Sequence, residues 1–511
     1  MRAGSARTLV ATATLLLVAG LATPSGATPG VTGGAWPAAN GNLLNTRVAV
    51  DSPITAATVD GLRVAWTYRL PGRARHGLEH TGSLVANPIV VDGVVYVQDI
   101  YSNVYALGLA NGRLLWEHRF NEKLLSGPGP NGVAVSAGRV YGLTPRTAFA
   151  LSARTGRVVW MDRHLLTTGE GTFGMQPAVA DGRLYVASQY GLSRGGGVLM
   201  ALRASDGAML WRFHTTIRES PGVRAARAGS GGAWETPLVN PDGTVTYGIG
   251  NPYQSIGSAY AHPARQLYTD SAVTLEAATG HLVWYYQAVP NDFKDYDLQT
   301  SPVLARSRGR EVVIASGKMG VVYALGARTG HLYWKTPVGQ HNGHLGDSEN
   351  ALKHRPMPAL PYSYLPGSLG GVLANLAVAG ETVYVETLNL ALSFTSTAQA
   401  VGVATAATHE GGDIEALDLA TGKVEWKVAV KSLPLGAMTV VNDLVLTTLY
   451  DGRLLALSRA TGRVVLDRSL PTSTNAPLAV AGPYVVVADG GPATGHRSSE
   501  GRPQVVALRV G

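Results

Sequence analysis

Cysteine is absent from all 511 residues. No disulfide can form, so an exported chain of this kind must rely on a large apolar core. The same absence removes any C-x-x-C-H attachment for a c-type haem, and the expectation is a protein with no haem. Charge is also scarce. Asp, Glu, Lys and Arg make up 15% of the chain, and only eight of the 42 basic residues are Lys. The net charge of +8 is spread singly over turns and strand ends. No dense basic run interleaves with aromatics, which argues against a nucleic-acid partner. Long hydrophobic runs are missing except for Leu9 to Ala22, shorter than the roughly 20 residues a spanning helix needs. Arg2 and Arg7 precede that run and the small residues Ser25-Gly26-Ala27 follow it. Residues 1–27 therefore read as a signal peptide cleaved near Ala27, with a membrane anchor as the alternative. The mature chain is expected to be secreted or extracytoplasmic, with no membrane span.

What the sequence does have is glycine, 63 residues of it, and a repeat. The unit reads Ala-Leu, three residues, Thr-Gly, three residues, Trp. It runs from Ala106 to Trp116, Ala150 to Trp160, Ala201 to Trp211, Thr274 to Trp284, Ala324 to Trp334 and Ala416 to Trp426. A seventh copy, Ala456 to Leu466, carries Leu in the Trp place. An eighth is split: Ala507-Leu508 lacks a Trp, and Val64-Ala65-Trp66 lacks its turn. Joining the halves would close a ring through both termini. Alternating segments such as Val91–Val97 and Glu381–Val385 precede the Ala-Leu strands, and the turns carry Asp-Gly or Thr-Gly. About 45 residues per unit suits a four-stranded blade. The expected fold is all-β: an eight-bladed β-propeller over residues 46–511, closed by N- and C-terminal segments, behind a Gly/Pro-rich tether at 28–45. Each repeat Trp would bury about 150–250 Å², up to ~4–6 kcal/mol at the usual area coefficient. These Trp are core residues that dock one blade on the next.

The repeat resembles the pyrroloquinoline-quinone (PQQ) propellers of the quinoprotein alcohol dehydrogenase superfamily, from Trp66 to Leu508. Further residues carry the likeness toward a site. Trp234, followed by Gly-Ile-Gly-Asn251-Pro252, is similar to the family's stacking Trp and its Gly-Asn-Pro stretch. By that resemblance Trp234 stacks on PQQ and Asn251 binds calcium. Trp284-Tyr-Tyr-Gln-Ala-Val-Pro-Asn-Asp-Phe-Lys-Asp295 resembles the family's Trp-x-Tyr-Gln-x-x-Pro-x-Asp-x-Trp-Asp stretch. The resemblance implies that Asp295 is the catalytic base and a metal ligand. Alcohol oxidation needs such a base, and a hard cation needs oxygen ligands. Lys318 matches a basic residue that holds the quinone oxygens. Gln189 stands where the family has a third ligand, Glu.

Each feature also has a plainer reading: a packed Trp, a Gly-Asn turn, a polar Asp-rich turn, a turn Lys. The family's adjacent Cys pair and second stacking Trp are missing, and Lys294 replaces the Trp beside the base. His341, His344 and Asp347, in one of several long insertions, could bind a transition metal or form a solvated loop. The resemblance implies an oxidoreductase using PQQ and calcium on a small-molecule or polymeric alcohol, polyvinyl alcohol among them, with a separate electron acceptor. The alternative is a non-catalytic propeller scaffold that binds proteins or envelope components.

Overall fold

The computed structural model describes residues 30–31, 34–71, 84–122, 131–189, 196–217, 222–223, 231–404, 411–490 and 503–511. The signal peptide assigned to residues 1–27 lies outside them. Eight four-stranded antiparallel units follow one another around a ring. Blades one to seven span Ile89–His118, Ala134–Asp162, Ala178–His214, Leu238–Gln287, Val303–Pro337, Ala377–Val430 and Thr439–Ser469. Blade eight takes Leu478–Ala481, Tyr484–Asp489 and Gln504–Arg509 from the C-terminus. Its outer strand, Arg63–Arg69, comes from the N-terminus. The split repeat thus closes the ring with hydrogen bonds between chain ends.

The geometry explains the repeat. In every outer hairpin the register slips by one residue just before the Trp position, as between Ala106 and Leu107. The bulge re-aims the indole toward the next blade. Each indole N–H then donates to a carbonyl of that blade: Trp66 to Leu109 at 2.6 Å, Trp116 to Ala153 at 2.8 Å, Trp160 to Ala204 at 3.0 Å, Trp284 to Ala327 at 2.9 Å. The ring lies against the turn glycine of that same blade. At Gly156, with φ +67°, an added Cβ would come within 2.5 Å of the Trp116 ring. Glycine is needed there for the left-handed turn and for the close approach.

Leu466 has a physical reason. An indole in its place would have to dock on the outer-hairpin turn of blade eight. That turn does not exist, because the two strands that it would join belong to opposite ends of the chain.

The segment expected as a tether is packed inside the ring. From Trp36 to Arg47 it crosses one end of the channel. Trp36 pairs with Val90 in blade one, and the carbonyls of Leu43, Leu44, Thr46 and Arg47 accept from Val239, Leu304, Val378 and Val440 in blades four to seven. Trp36 and Arg47 are fully buried. The insertions form a cap. Helices Ile256–Ala261 and Asp347–Leu352 pack together, beside a small sheet of Tyr362–Tyr364, Leu392–Phe394 and Val403–Ala404. Among the described residues, no helix is long and apolar enough to cross a membrane.

Candidate active site

Three backbone stretches lie side by side near the channel. Ala233 N donates to Ser188 O at 3.0 Å, and Gly250 N donates to Gly232 O at 2.8 Å. This layering brings the chain at Gln189, Trp234 and Asn251 together. The Trp234 ring lies on Gly250, where a Cβ would sit 2.7 Å from the ring and 2.8 Å from Asp297 Oδ1. Asn251 N donates to Asp297 Oδ1 at 2.7 Å. Lys318 Nζ sits 2.9 Å from Asp295 Oδ2 and 2.5 Å from Asp297 Oδ2. Trp234, Asn251, Asp295 and Lys318 are therefore one cluster. Gln189, at the end of strand Arg183–Gln189, is fully buried with its amide directly over Gly174. It meets the cluster through the backbone at Gly232.

The loop that carries Asp295 is held from both sides. Asp292 accepts from Lys294 N at 3.0 Å and Tyr296 N at 2.8 Å, a turn that turns the following carboxylates inward. Asp295 has φ +62°, a left-handed conformation that Asp tolerates better than most residues and that surrounding structure must enforce. The cap supplies that enforcement. Tyr296 OH donates to Pro366 O at 2.7 Å, Tyr364 OH to Lys294 O at 3.4 Å, and Asn291 Nδ2 to Ala259 O at 3.2 Å. Lys294, in place of the expected Trp, turns away from the cluster. Its ammonium donates to His344 O and lies 4.8 Å from the Tyr296 ring centre. Burial lowers the Lys294 amine to about 8.

The electrostatics are those of crowded, buried carboxyls. Burial pushes the Asp295 carboxyl above the usual carboxylate range, with Lys318 opposing and Asp297 adding to the rise. Burial also drives Asp270 well above the usual carboxylate range, with Asp292, Asp297 and Asp295 nearby. Asn251 Oδ1 and Asp295 Oδ1 are buried and accept no hydrogen bond among the described residues. Asp297 and Asp270 were not assigned roles from the sequence. The Asp295-Tyr-Asp297 spacing could have flagged the first. Nothing in the strand-start pattern of Asp270 distinguishes it.

His341 and His344 do not converge on one point. His341 Nε2 contacts the carbonyls of Gly320 and Val338, and burial lowers its pKa. His344 Nδ1 lies 3.0 Å from Asp347 Oδ2, which also accepts from Tyr362 OH. Among the described residues, no group of three or more His, Cys, Asp or Glu side chains is placed to hold a metal. A cation here would depend on amide oxygens as well.

Fold and repeat define a PQQ-type propeller of the quinoprotein alcohol dehydrogenase superfamily. The chain belongs to the family described as glucose/ethanol/alcohol dehydrogenase, beta-propeller domain, whose model matches residues 36–366. Residues 367–506 match a second model, outer membrane protein assembly factor BamB. A quinohemoprotein alcohol dehydrogenase of Comamonas testosteroni is 26% identical over 89% of this chain and 71% of its own length. Its crystal structure superposes with a TM-score of 0.77 at 23% identity, covering 94% of this chain and 81% of that one. A polyvinylalcohol dehydrogenase of a Pseudomonas species is 24% identical over 84% of this chain and 67% of its own length. The chain spans less than half of two Pseudomonas putida quinohemoprotein alcohol dehydrogenases, 45% and 47% of their lengths.

These relatives correct the expectation of a protein with no haem. The Comamonas and Pseudomonas putida alcohol dehydrogenases are quinohemoproteins, so haem belongs to the chemistry of these relatives. The missing cysteines exclude thioether attachment within this sequence, which is a narrower statement than exclusion of haem.

Proposed function

We propose that the protein is an exported quinoprotein oxidoreductase of the alcohol dehydrogenase type, with PQQ beside Trp234 and calcium between Asn251 and Asp295. One observation carries the reading: two buried oxygens, Asn251 Oδ1 and Asp295 Oδ1, accept no hydrogen bond among the described residues, in a cluster with an indole and a cation. Leaving such an atom bare costs about 1–3 kcal/mol. A hard cation bound by amide and carboxylate oxygens would remove that cost. Gln189 would supply a neutral third oxygen in place of a carboxylate, which weakens the attraction for a divalent ion. Lys318 would hold the quinone oxygens.

When bound, the quinone supplies the two-electron acceptor for the alcohol carbon. The chain's own residues supply the rest. Asp295, held in one orientation by the cap and the Asp292 turn, takes the hydroxyl proton. Lys318 stabilises negative charge as it develops, without reorganising. Helices Ile256–Ala261 and Asp347–Leu352, with the small sheet, keep water from the Asp295 loop. The substrate is a small-molecule or polymeric alcohol; the polyvinylalcohol dehydrogenase relative supports the polymeric case. Electrons leave to a separate acceptor, and residues 1–27 direct export.

A scaffold reading has one observation in its favour. Lys318 already donates to Asp295 Oδ2 and lies 2.5 Å from Asp297 Oδ2, which places a cation beside both carboxylates without any added ion. The experiment that separates the two is alcohol-dependent dye reduction after reconstitution with PQQ and calcium. The oxidoreductase reading expects turnover that falls by about 10²–10⁴ in Asp295→Ala. No turnover by the reconstituted wild type supports the scaffold.

A further inference from the structure

We infer that Arg47, on the N-terminal segment, is a positioning residue for Trp234 and the Asp295 loop, acting through Asn40 and Asn375. The inference rests on the proposed role of Trp234 but concerns how the chain holds it. Arg47 has no accessible surface. Its guanidinium donates to Asn40 Oδ1 at 2.9 Å, Met438 O at 2.8 Å, Thr439 Oγ1 at 2.8 Å and Leu478 O at 2.9 Å. Blades seven and eight thereby fix the fork.

Asn40 passes this fixation on. Its Oδ1 also accepts from Asn375 Nδ2 at 3.3 Å. Asn375 Nδ2 in turn donates to Glu235 Oε2 at 2.9 Å, and Asn375 Oδ1 accepts from Ser301 N at 2.8 Å. Glu235 directly follows Trp234, and Ser301 ends the Asp-rich stretch after Asp297. One side chain, Asn375, therefore grips both walls of the candidate site. The same N-terminal segment reaches the same two stretches a second time. Asn45 Nδ2 donates to Pro302 O at 2.9 Å and lies 3.5 Å from Thr236 O. The two ties are joined, because Asn40 Nδ2 donates to Asn45 Oδ1 at 3.2 Å, so one network holds both stretches from one segment.

The choice of arginine fits that role. A buried cation gives little net stability over an apolar residue of the same shape. A planar fork with five donors sets direction, and lysine cannot reproduce it. Glu235 and Glu386 lie close enough to oppose part of the burial cost of the guanidinium.

The test reads Trp234 in the cofactor-free full-length protein. Its emission is isolated as the difference between each protein and its Trp234→Phe counterpart. Arg47→Lys and Asn375→Leu should both shift that emission and weaken PQQ binding, measured with calcium, by tenfold or more. The double variant should be no worse than the poorer single, because both act along one path. Ser52→Ala, just beyond that segment, removes a hydrogen bond to Gly482 O outside this network. It should lower the melting temperature without moving the emission. A folded Arg47→Lys protein with unchanged Trp234 emission would overturn the inference, as would equal shifts in Ser52→Ala. If the wild type binds no PQQ while Trp234 emission still responds to Arg47, the cofactor reading fails and the positioning role stands.

Discussion

Replacing Gly156 by alanine tests the blade-docking argument against a control in the same blade. Gly138 and Gly156 have nearly the same left-handed backbone, φ +71° and +67°. A Cβ on Gly138 meets nothing within 4 Å, whereas one on Gly156 lies 2.5 Å from the Trp116 ring. The left-handed conformation costs alanine about 1–2 kcal/mol. Stiffening of the unfolded chain returns about 0.4–1 kcal/mol of that. Gly138→Ala should therefore cost no more than about 1.5 kcal/mol, the difference between those two effects. At Gly156 the indole must retreat by about 1 Å to reach ordinary contact distance. Its 2.8 Å hydrogen bond to Ala153 O then breaks, a further ~1 kcal/mol. Lost packing of the ring adds about 1–2 kcal/mol more, by analogy with overpacked cores. Gly156→Ala should thus exceed Gly138→Ala by about 2–3 kcal/mol, the sum of those two terms. A chain of this size need not unfold in one step, so the comparison is of urea midpoints between the two variants, followed by Trp emission. Equal midpoints would refute the docking account, because the backbone alone would then explain both.

Leu466→Trp should lower the unfolding midpoint by about 1–3 kcal/mol equivalent, since blade eight offers no turn glycine to receive the ring. A stabilised variant, read by thermal melt, would contradict that. Glu386 is fully buried and accepts from Ala437 N at 2.9 Å and Thr447 Oγ1 at 2.6 Å. Burial raises it from 4.5 to about 7. A carboxyl raised in the fold holds its proton more tightly there than in the unfolded chain. Stability therefore falls as pH rises from about 4.5 to about 7, by an order of 3 kcal/mol, and is flat above. Glu386→Gln should flatten that part of the melting-temperature profile; parallel profiles for variant and wild type would count against the assignment.

The ring was readable because its signals are periodic. Turn glycines, Trp and alternating strands recur at fixed spacing, and the split repeat at Trp66 and Leu508 named its own closure. Even the exception at Leu466 follows once closure is known. The channel plug was not readable. Residues 34–47 have no apolar period. Their hold on the ring comes from backbone carbonyls and from Asn40, Asn45 and Arg47, whose partners lie up to 431 residues away. The site was readable in part. Trp234, Asn251, Asp295 and Lys318, singled out only through the family resemblance, lie together. Asp270 joins the carboxyl crowd from a strand start where an acid carries no pattern. Lys294 belongs to the cap, a contact set by an insertion that sequence places only as a loop.

The central claim is that a flat cofactor and a cation share the space around Trp234, Asn251 and Asp295. Tryptophan-quenching titration of the purified protein with PQQ, with and without calcium, tests it most directly. The account predicts one PQQ per chain, calcium-dependent, with binding lost in Asn251→Leu. Calcium-independent binding, or binding that survives in Asn251→Leu, would contradict it.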